Sequence, residues 1–347
     1  VLLPKDYLRF RLSNSFVTDM SDASGTLWLN VRERKWSENL LNLTELSQNN
    51  MPDLVEGSEV SSFIDKNLAN ELGFKNKVII AGGAGDQAAG AIGSGVINNN
   101  QSVISIGTSG VYFSPTQDFI PNTSKAVHSF CHCIPNTWHH MSVMLSATSS
   151  INWATKIFNL DIDKAMKMVE DYFNNDFIIK STPYFLPYLT GERTPYNNPH
   201  LRGSFHMLDT STNVDALLYS VIEGISFGIK DGFDAVHAVS PNKDETYLVG
   251  GGSKSTFWTS FISSMLKQKI LLGRDADLGP ALGVARLAML ATKEYNKDDI
   301  LKSMPIIVEL KPNEKSSIIL DKRYKTWKEI VKHNEPISKK IMEKNYE

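Results

Sequence analysis

Val78-Ile79-Ile80-Ala81-Gly82-Gly83-Ala84-Gly85-Asp86-Gln87-Ala88-Ala89-Gly90 is the stretch on which the fold turns. Four apolar residues suit a buried strand, the glycines suit a tight turn, and the small residues that follow suit a helix packed closely against a sheet. Asp86 is the only charged residue between Lys77 and Asp118. An acid so isolated, where a strand turns into a helix, is a candidate general base. A second strand, Val103-Ile104-Ser105-Ile106, ends in Gly107-Thr108-Ser109-Gly110, where backbone amides and two hydroxyls can converge on a phosphate. A third, Tyr247-Leu248-Val249, runs into Gly250-Gly251-Gly252-Ser253-Lys254-Ser255. Any one such turn is a weak signal. Three together suggest a nucleotide whose phosphates and adenosine rest on separate turns.

Several better-known signatures fail. Gly83 to Ala88 fits the dinucleotide fingerprint, but that motif needs an acid about 20 residues further on, and none occurs before Asp118. No Walker glycine-lysine loop and no protein-kinase set is present. The plainer role for Asp86 is a helix N-cap, which is compatible with catalysis.

A chain of 347 residues is long for one core and suggests two domains. With 36 basic and 38 acidic residues, no global field draws in nucleic acid or an acidic membrane. No apolar run approaches the roughly 18 residues of a span, the opening residues lack a signal peptide, and a cytoplasmic location is the expectation. Cys131 and Cys133 flank His132, with His128, His139 and His140 nearby, but the spacings of zinc hooks are missing, so a buried strand is expected there.

Periodicity predicts an amphipathic helix carrying Val60, Phe63, Ile64 and Leu68, and a polar domain boundary at Asn98-Asn99-Asn100. It then predicts strands at 102–106, 110–114, 126–134, 137–143 and 269–272, and helices at about 148–158, 163–173, 213–237, 256–267 and 280–294. Prolines keep Thr182 to Pro195 irregular. Trp153 is expected in the core, Glu192 and Arg193 are expected to pin the proline loop as an ion pair, and 321–345 reads as a charged, peripheral helix.

These motifs, in this order through nearly all of residues 1–300, resemble the FGGY carbohydrate kinases of the actin-like ATPase superfamily, and within them the xylulokinases. Leu3-Pro4-Lys5-Asp6-Tyr7-Leu8-Arg9 and Thr18-Asp19-Met20-Ser21-Asp22-Ala23-Ser24-Gly25-Thr26 are similar to that family's middle section. The Asp86 turn resembles its catalytic-base turn, Ser105 to Gly110 its second phosphate loop, Gly191 to Gly203 its C-terminal signature, and Gly250 to Ser255 its adenosine turn.

The resemblance implies an α/β, ribonuclease H-like two-domain kinase fold. It divides the chain into the C-terminal part of a sugar-binding domain at 1–97, a nucleotide-binding domain at 98–300 and a helical extension at 301–347. The family's opening strand and Asp-x-Gly-Thr-x-Ser loop have no counterpart in this sequence, so the first domain is expected to be truncated and the chain alone inactive. The implied reaction is ATP-dependent phosphorylation of D-xylulose. Asp86 would be the base, and Asp86 and Gln87 would meet the sugar. Gly107, Thr108 and Ser109 would hold phosphates, and Gly251, Gly252 and Ser255 would flank adenosine. Mg2+ is implied as cofactor, held largely by phosphates, water and a carboxylate of the missing loop, so that no ligand is named in this sequence, and a homodimer is compatible with the family. Gln87 stands where xylulokinases usually carry Asn. Alternatives are a kinase for gluconate, ribulose or glycerol, or a non-catalytic actin-like binding or assembly protein.

Overall fold

β-branched and aromatic residues dominate 101–116 and 245–249, and in the computed structural model they build the centre of a seven-stranded mixed sheet. Residues 1–174, 182–241, 243–274 and 279–344 are described. The strand order is Ile306–Leu310, Ile270–Gly273, Glu245–Val249, Gln101–Ile106, Gly110–Thr116, Trp138–Met144 and His128–Cys131. Glu245–Val249 runs parallel to both of its neighbours, and the remaining pairs are antiparallel.

The 24-residue helix Val214–His237 starts where the Asn213 side chain accepts the Ala216 amide. Its apolar face joins Ile104, Ile106 and Tyr112 of the sheet, together with Phe261 and Trp258, in the largest core cluster. Residues 1–81 form only short elements, among them the parallel pair Val17–Asp19 with Asp53–Val55 and the antiparallel pair Val60–Phe63 with Ile79–Ala81.

Two expectations are corrected. Residues 60–68 do not form one helix: Val60–Phe63 is a strand, and a short helix, Lys66–Glu71, begins only after Asp65 accepts the amides of Asn67 and Leu68. The Asp65 cap sets the start, and pairing with Ile79–Ala81 overrides the helical spacing. The small-residue helix Asp86–Ser94 packs on the helix Gly279–Thr292 as well as near the sheet, where Ala91 shares a core cluster with Val103, Phe113 and Tyr247. The approach is so close that a methyl group on Gly283 would lie 1.8 Å from the Ala89 carbonyl oxygen.

The charged tail is not peripheral. Ile306–Leu310 is an edge strand of the sheet, and the helix Glu314–Lys344 buries Leu320, Trp327 and Val331 in the main core. Arg323 there pairs with the buried Glu223, at 2.5 Å from Nε and 2.6 Å from Nη2. Charge composition misled because the polar residues cover one face while the other face is apolar.

Trp327 is 0% exposed and its Nε1 donates to the Phe185 carbonyl at 2.9 Å. Trp327→Ala is expected to cost roughly 3–5 kcal/mol in urea unfolding, as for a core residue, against about 0.5 kcal/mol for an ordinary surface position.

Candidate active site

Asp86 opens the helix Asp86–Ser94, and the N-cap position belongs to Gly85, which offers no side chain. Asp86 is therefore a first-turn carboxylate and not the cap itself, favourably placed against the helix dipole. Its Oδ1 accepts the Gln87 amide at 2.8 Å, and its Oδ2 accepts Gln87 Nε2 at 3.2 Å. Asp86 is exposed and Gln87 half-buried. The two residues that were expected to meet a sugar thus stand together, the amide of one orienting the carboxylate of the other.

A cavity of about 190 Å³ opens beside them, lined also by Ser94, Ser105, Gly250 and Pro280. A larger cavity of about 500 Å³ is lined by Gly251, Gly252, Ser255, Thr148, Ile151 and Trp258. The turn after Glu245–Val249 separates the two. Gly250 has φ +85°, and a Cβ there would meet the Ile106 carbonyl oxygen at 2.7 Å, so the turn lies against the end of Gln101–Ile106. Ser255 caps the helix Thr256–Leu266 by accepting the Trp258 amide at 3.2 Å, so its hydroxyl serves the fold as well as the cavity wall.

The tip at Gly107, Thr108 and Ser109 is held from behind. Thr148 donates its amide and its hydroxyl to the Gly107 carbonyl at 3.0 and 2.8 Å, and Ala147 donates to the Thr108 carbonyl at 2.9 Å. The Gly107 amide is taken up by the Ser109 carbonyl. Among the described residues, the amides and hydroxyls of Thr108 and Ser109 make no hydrogen bond, and both residues are exposed. Thr148 also lines the larger cavity, and Ile106 abuts Gly250, so the tip adjoins both cavities. Of the eight expected site residues, Asp86 and Gln87 line the smaller cavity, Gly251, Gly252 and Ser255 line the larger, and Gly107, Thr108 and Ser109 line neither of the two.

Thr148, Ile151, Trp258 and Pro280 were not anticipated. They sit on three helices, Thr148–Phe158, Thr256–Leu266 and Gly279–Thr292, and only the hydroxyl run Thr148-Ser149-Ser150 after the hairpin series gave any sign. Trp153 is a core residue as expected, stacked on Phe185 at 5.7 Å.

Glu192 and Arg193 form no ion pair with each other among the described residues. Glu192 is buried, and its Oε1 accepts the amides of Leu145 and Arg193 at 2.9 and 2.8 Å, while the Arg193 guanidinium turns to His128. The proline loop is pinned through backbone amides, since Glu192 is buried while the adjacent Arg193 is exposed. Cys131 and Cys133 are free and buried, one Sγ directed to the Val31 carbonyl and the other to the Ala88 carbonyl. Among the described residues, no group of three or more His, Cys, Asp or Glu side chains could hold a metal ion, and no helix is long and apolar enough to cross a membrane.

Residues 1–93 match the N-terminal domain, and residues 102–292 the C-terminal domain, of the FGGY family of carbohydrate kinases. The chain belongs to that family. Among FGGY relatives, it is 39% identical over 338 residues to the xylulose kinase of Escherichia coli strain K12, covering 97% of this chain and 69% of that protein. It is 39% identical over 316 residues to that of Klebsiella pneumoniae, covering 91% and 64%. The solved xyloylose kinase of Brucella ovis superposes with a TM-score of 0.88 at 37% identity, covering 95% of this chain and 67% of that one. The gluconate kinase of Lactobacillus acidophilus, at 22% identity and a TM-score of 0.86, shares the fold. The chain thus spans roughly two thirds of the length of these FGGY proteins.

Burial pushes the Glu192 carboxyl up to about 8, only partly offset by its two backbone hydrogen bonds. Between the ordinary carboxylate value and about 8, the folded chain keeps a proton that the unfolded chain has released. Stability from this group is therefore complete below the unfolded value and is lost as pH rises through about 8. Glu192→Gln retains the acceptor oxygen and should flatten that decline, measured as urea midpoints between about pH 5 and pH 9.

Proposed function

We propose that the protein carrying this chain transfers the γ-phosphoryl group of ATP to the terminal hydroxyl of D-xylulose, giving xylulose 5-phosphate and ADP. The observation that carries this reading is the pair of cavities meeting at one glycine turn, with Asp86 and Gln87 in the smaller and the Gly251, Gly252 and Ser255 wall in the larger. Adenosine occupies the larger cavity between that wall and Ile151. The phosphates cross the turn near the Thr108 and Ser109 amides and hydroxyls. The sugar hydroxyl meets Asp86, which accepts its proton as the oxygen attacks phosphorus. Gln87 holds the carboxylate and offers its amide to a neighbouring hydroxyl. The choice of D-xylulose rests on the identity to xylulose kinases over nearly the whole chain.

Among the described residues, Asp86 is the only charged side chain lining the smaller cavity. One carboxylate suits a Mg2+ ion carried mainly by phosphates and water, and with Asp86 given to the proton no protein ligand is assigned. Such an ion neutralises charge on the transferring group when bound. The residues of this chain align the reactants, which together with charge neutralisation is most of what phosphoryl transfer requires.

In the full-length protein, Asp86→Ala should lower kcat for ATP-dependent xylulose phosphorylation by about 100-fold to 10,000-fold, while ADP affinity by calorimetry stays within about twofold. Unchanged turnover would reduce Asp86 to a helix-start residue. Gly250→Ala forces a side chain into glycine-only backbone and should weaken ADP binding by about tenfold in the same titration. A panel of xylulose, ribulose, gluconate and glycerol separates this reading from other sugar specificities by kcat/KM.

A further inference from the structure

The turn that presents Asp86 is gripped at both ends by a single chain of polar and charged groups, all buried except the half-buried Lys5. At its far end, the Gly85 amide donates to Ser21 Oγ at 3.0 Å. Ser21 Oγ in turn donates to Asp19 Oδ2 at 2.5 Å, and the same oxygen accepts the Ser21 amide at 2.8 Å. Asp19 Oδ1 pairs with Lys5 Nζ at 2.7 Å, and Lys5 pairs with Asp6 Oδ1 at 2.6 Å. Asp6 Oδ1 also holds Arg9 Nη1 at 2.8 Å. Arg9 closes the circuit, because its Nη2 donates to the Gly82 carbonyl at the near end of the turn while Nη1 donates to the Val17 carbonyl at 2.6 Å.

Asp6 and Asp19 are 0% exposed and Arg9 is 6% exposed. Burying such charges is costly, and apolar packing would commonly hold a turn at least as stably. What ionic and hydrogen-bonded groups add is direction. A hydroxyl has one proton, so donation to Asp19 turns the Ser21 lone pairs toward Gly85, the residue directly before Asp86. None of these groups lines the cavity of Asp86.

We propose that Ser21, Asp19 and Arg9 are positioning residues that hold the Gly82 to Gly85 turn so that the Asp86 carboxylate points at the reacting hydroxyl. This rests on the reading of Asp86 as the base. Ser21 is the informative site, since Ser21→Ala removes one hydroxyl without leaving a charge unpaired.

The test is steady-state kinetics on the full-length protein with ATP and xylulose, comparing wild type, Asp86→Ala, Ser21→Ala and Ser21→Thr. A displacement of about 1 Å at a reacting group can cost on the order of 100-fold, so Ser21→Ala should lower kcat by about tenfold to 100-fold. KM for ATP should stay within about twofold, and Ser21→Thr, which keeps the hydroxyl, should recover most of kcat. Wild-type kcat in Ser21→Ala, or an equal loss in Ser21→Thr, overturns the positioning role while Asp86→Ala still reports on the base. An inactive wild type, or a fully active Asp86→Ala, overturns the reading of the site and this proposal with it.

Discussion

The parallel pairing of Glu245–Val249 with Gln101–Ile106 is the contact on which the site depends. It places Val249 beside Ser105, so two glycine turns leave the sheet side by side and in the same direction. Parallel strands need long crossovers, and here the partners are 144 residues apart, as the buried Ser102 and Thr246 hydroxyls show by meeting at 2.9 Å. Between them in the chain, the hairpin strands extend the sheet beyond Gln101–Ile106, and the long helix packs its apolar face against it. A ligand crossing the strand ends therefore meets both turns at once, as expected where strands of an open α/β sheet end.

Away from the sheet, irregular segments are held by buried charge. Asp231 on the long helix accepts Tyr196, Tyr324 and Lys328, joining the proline loop to the C-terminal helix. Arg34 pairs with Glu56 at 2.6 Å and donates to the Thr137 carbonyl at 2.9 Å, tying the first residues to the hairpin edge of the sheet. The Lys5 cluster does the same for the turn before Asp86. These segments lack a ladder of neighbouring strands, so side chains supply the partners that their backbone groups require.

Periodicity was most reliable where one residue pattern met one neighbour. Val214 to His237 repeats its apolar residues over many turns, and no tertiary contact could outweigh that. Val60 to Leu68 has the same spacing over a short window, and there a single strand pairing and one aspartate cap decided otherwise. The tail shows the opposite failure. Its charges are conspicuous in sequence, yet Trp327 on the other face is fully buried. Glu192 looked like half of an ion pair because Arg193 is adjacent, but neighbours in sequence on an extended segment point to opposite sides.

Residue types and order alone determined the three glycine turns, the isolated acid Asp86 and the family these motifs belong to, because each depends on local backbone freedom and chemistry. Only the tertiary structure decided that the Asp86 turn and Gly250 border one cavity, that Thr148 and Trp258 help to line a second on the other side of Gly250, and that Ser21 and Arg9 bond the two ends of the Gly82 to Gly85 turn. Those relations arise from strand pairing and buried contacts between residues far apart in the chain, and no local pattern encodes them.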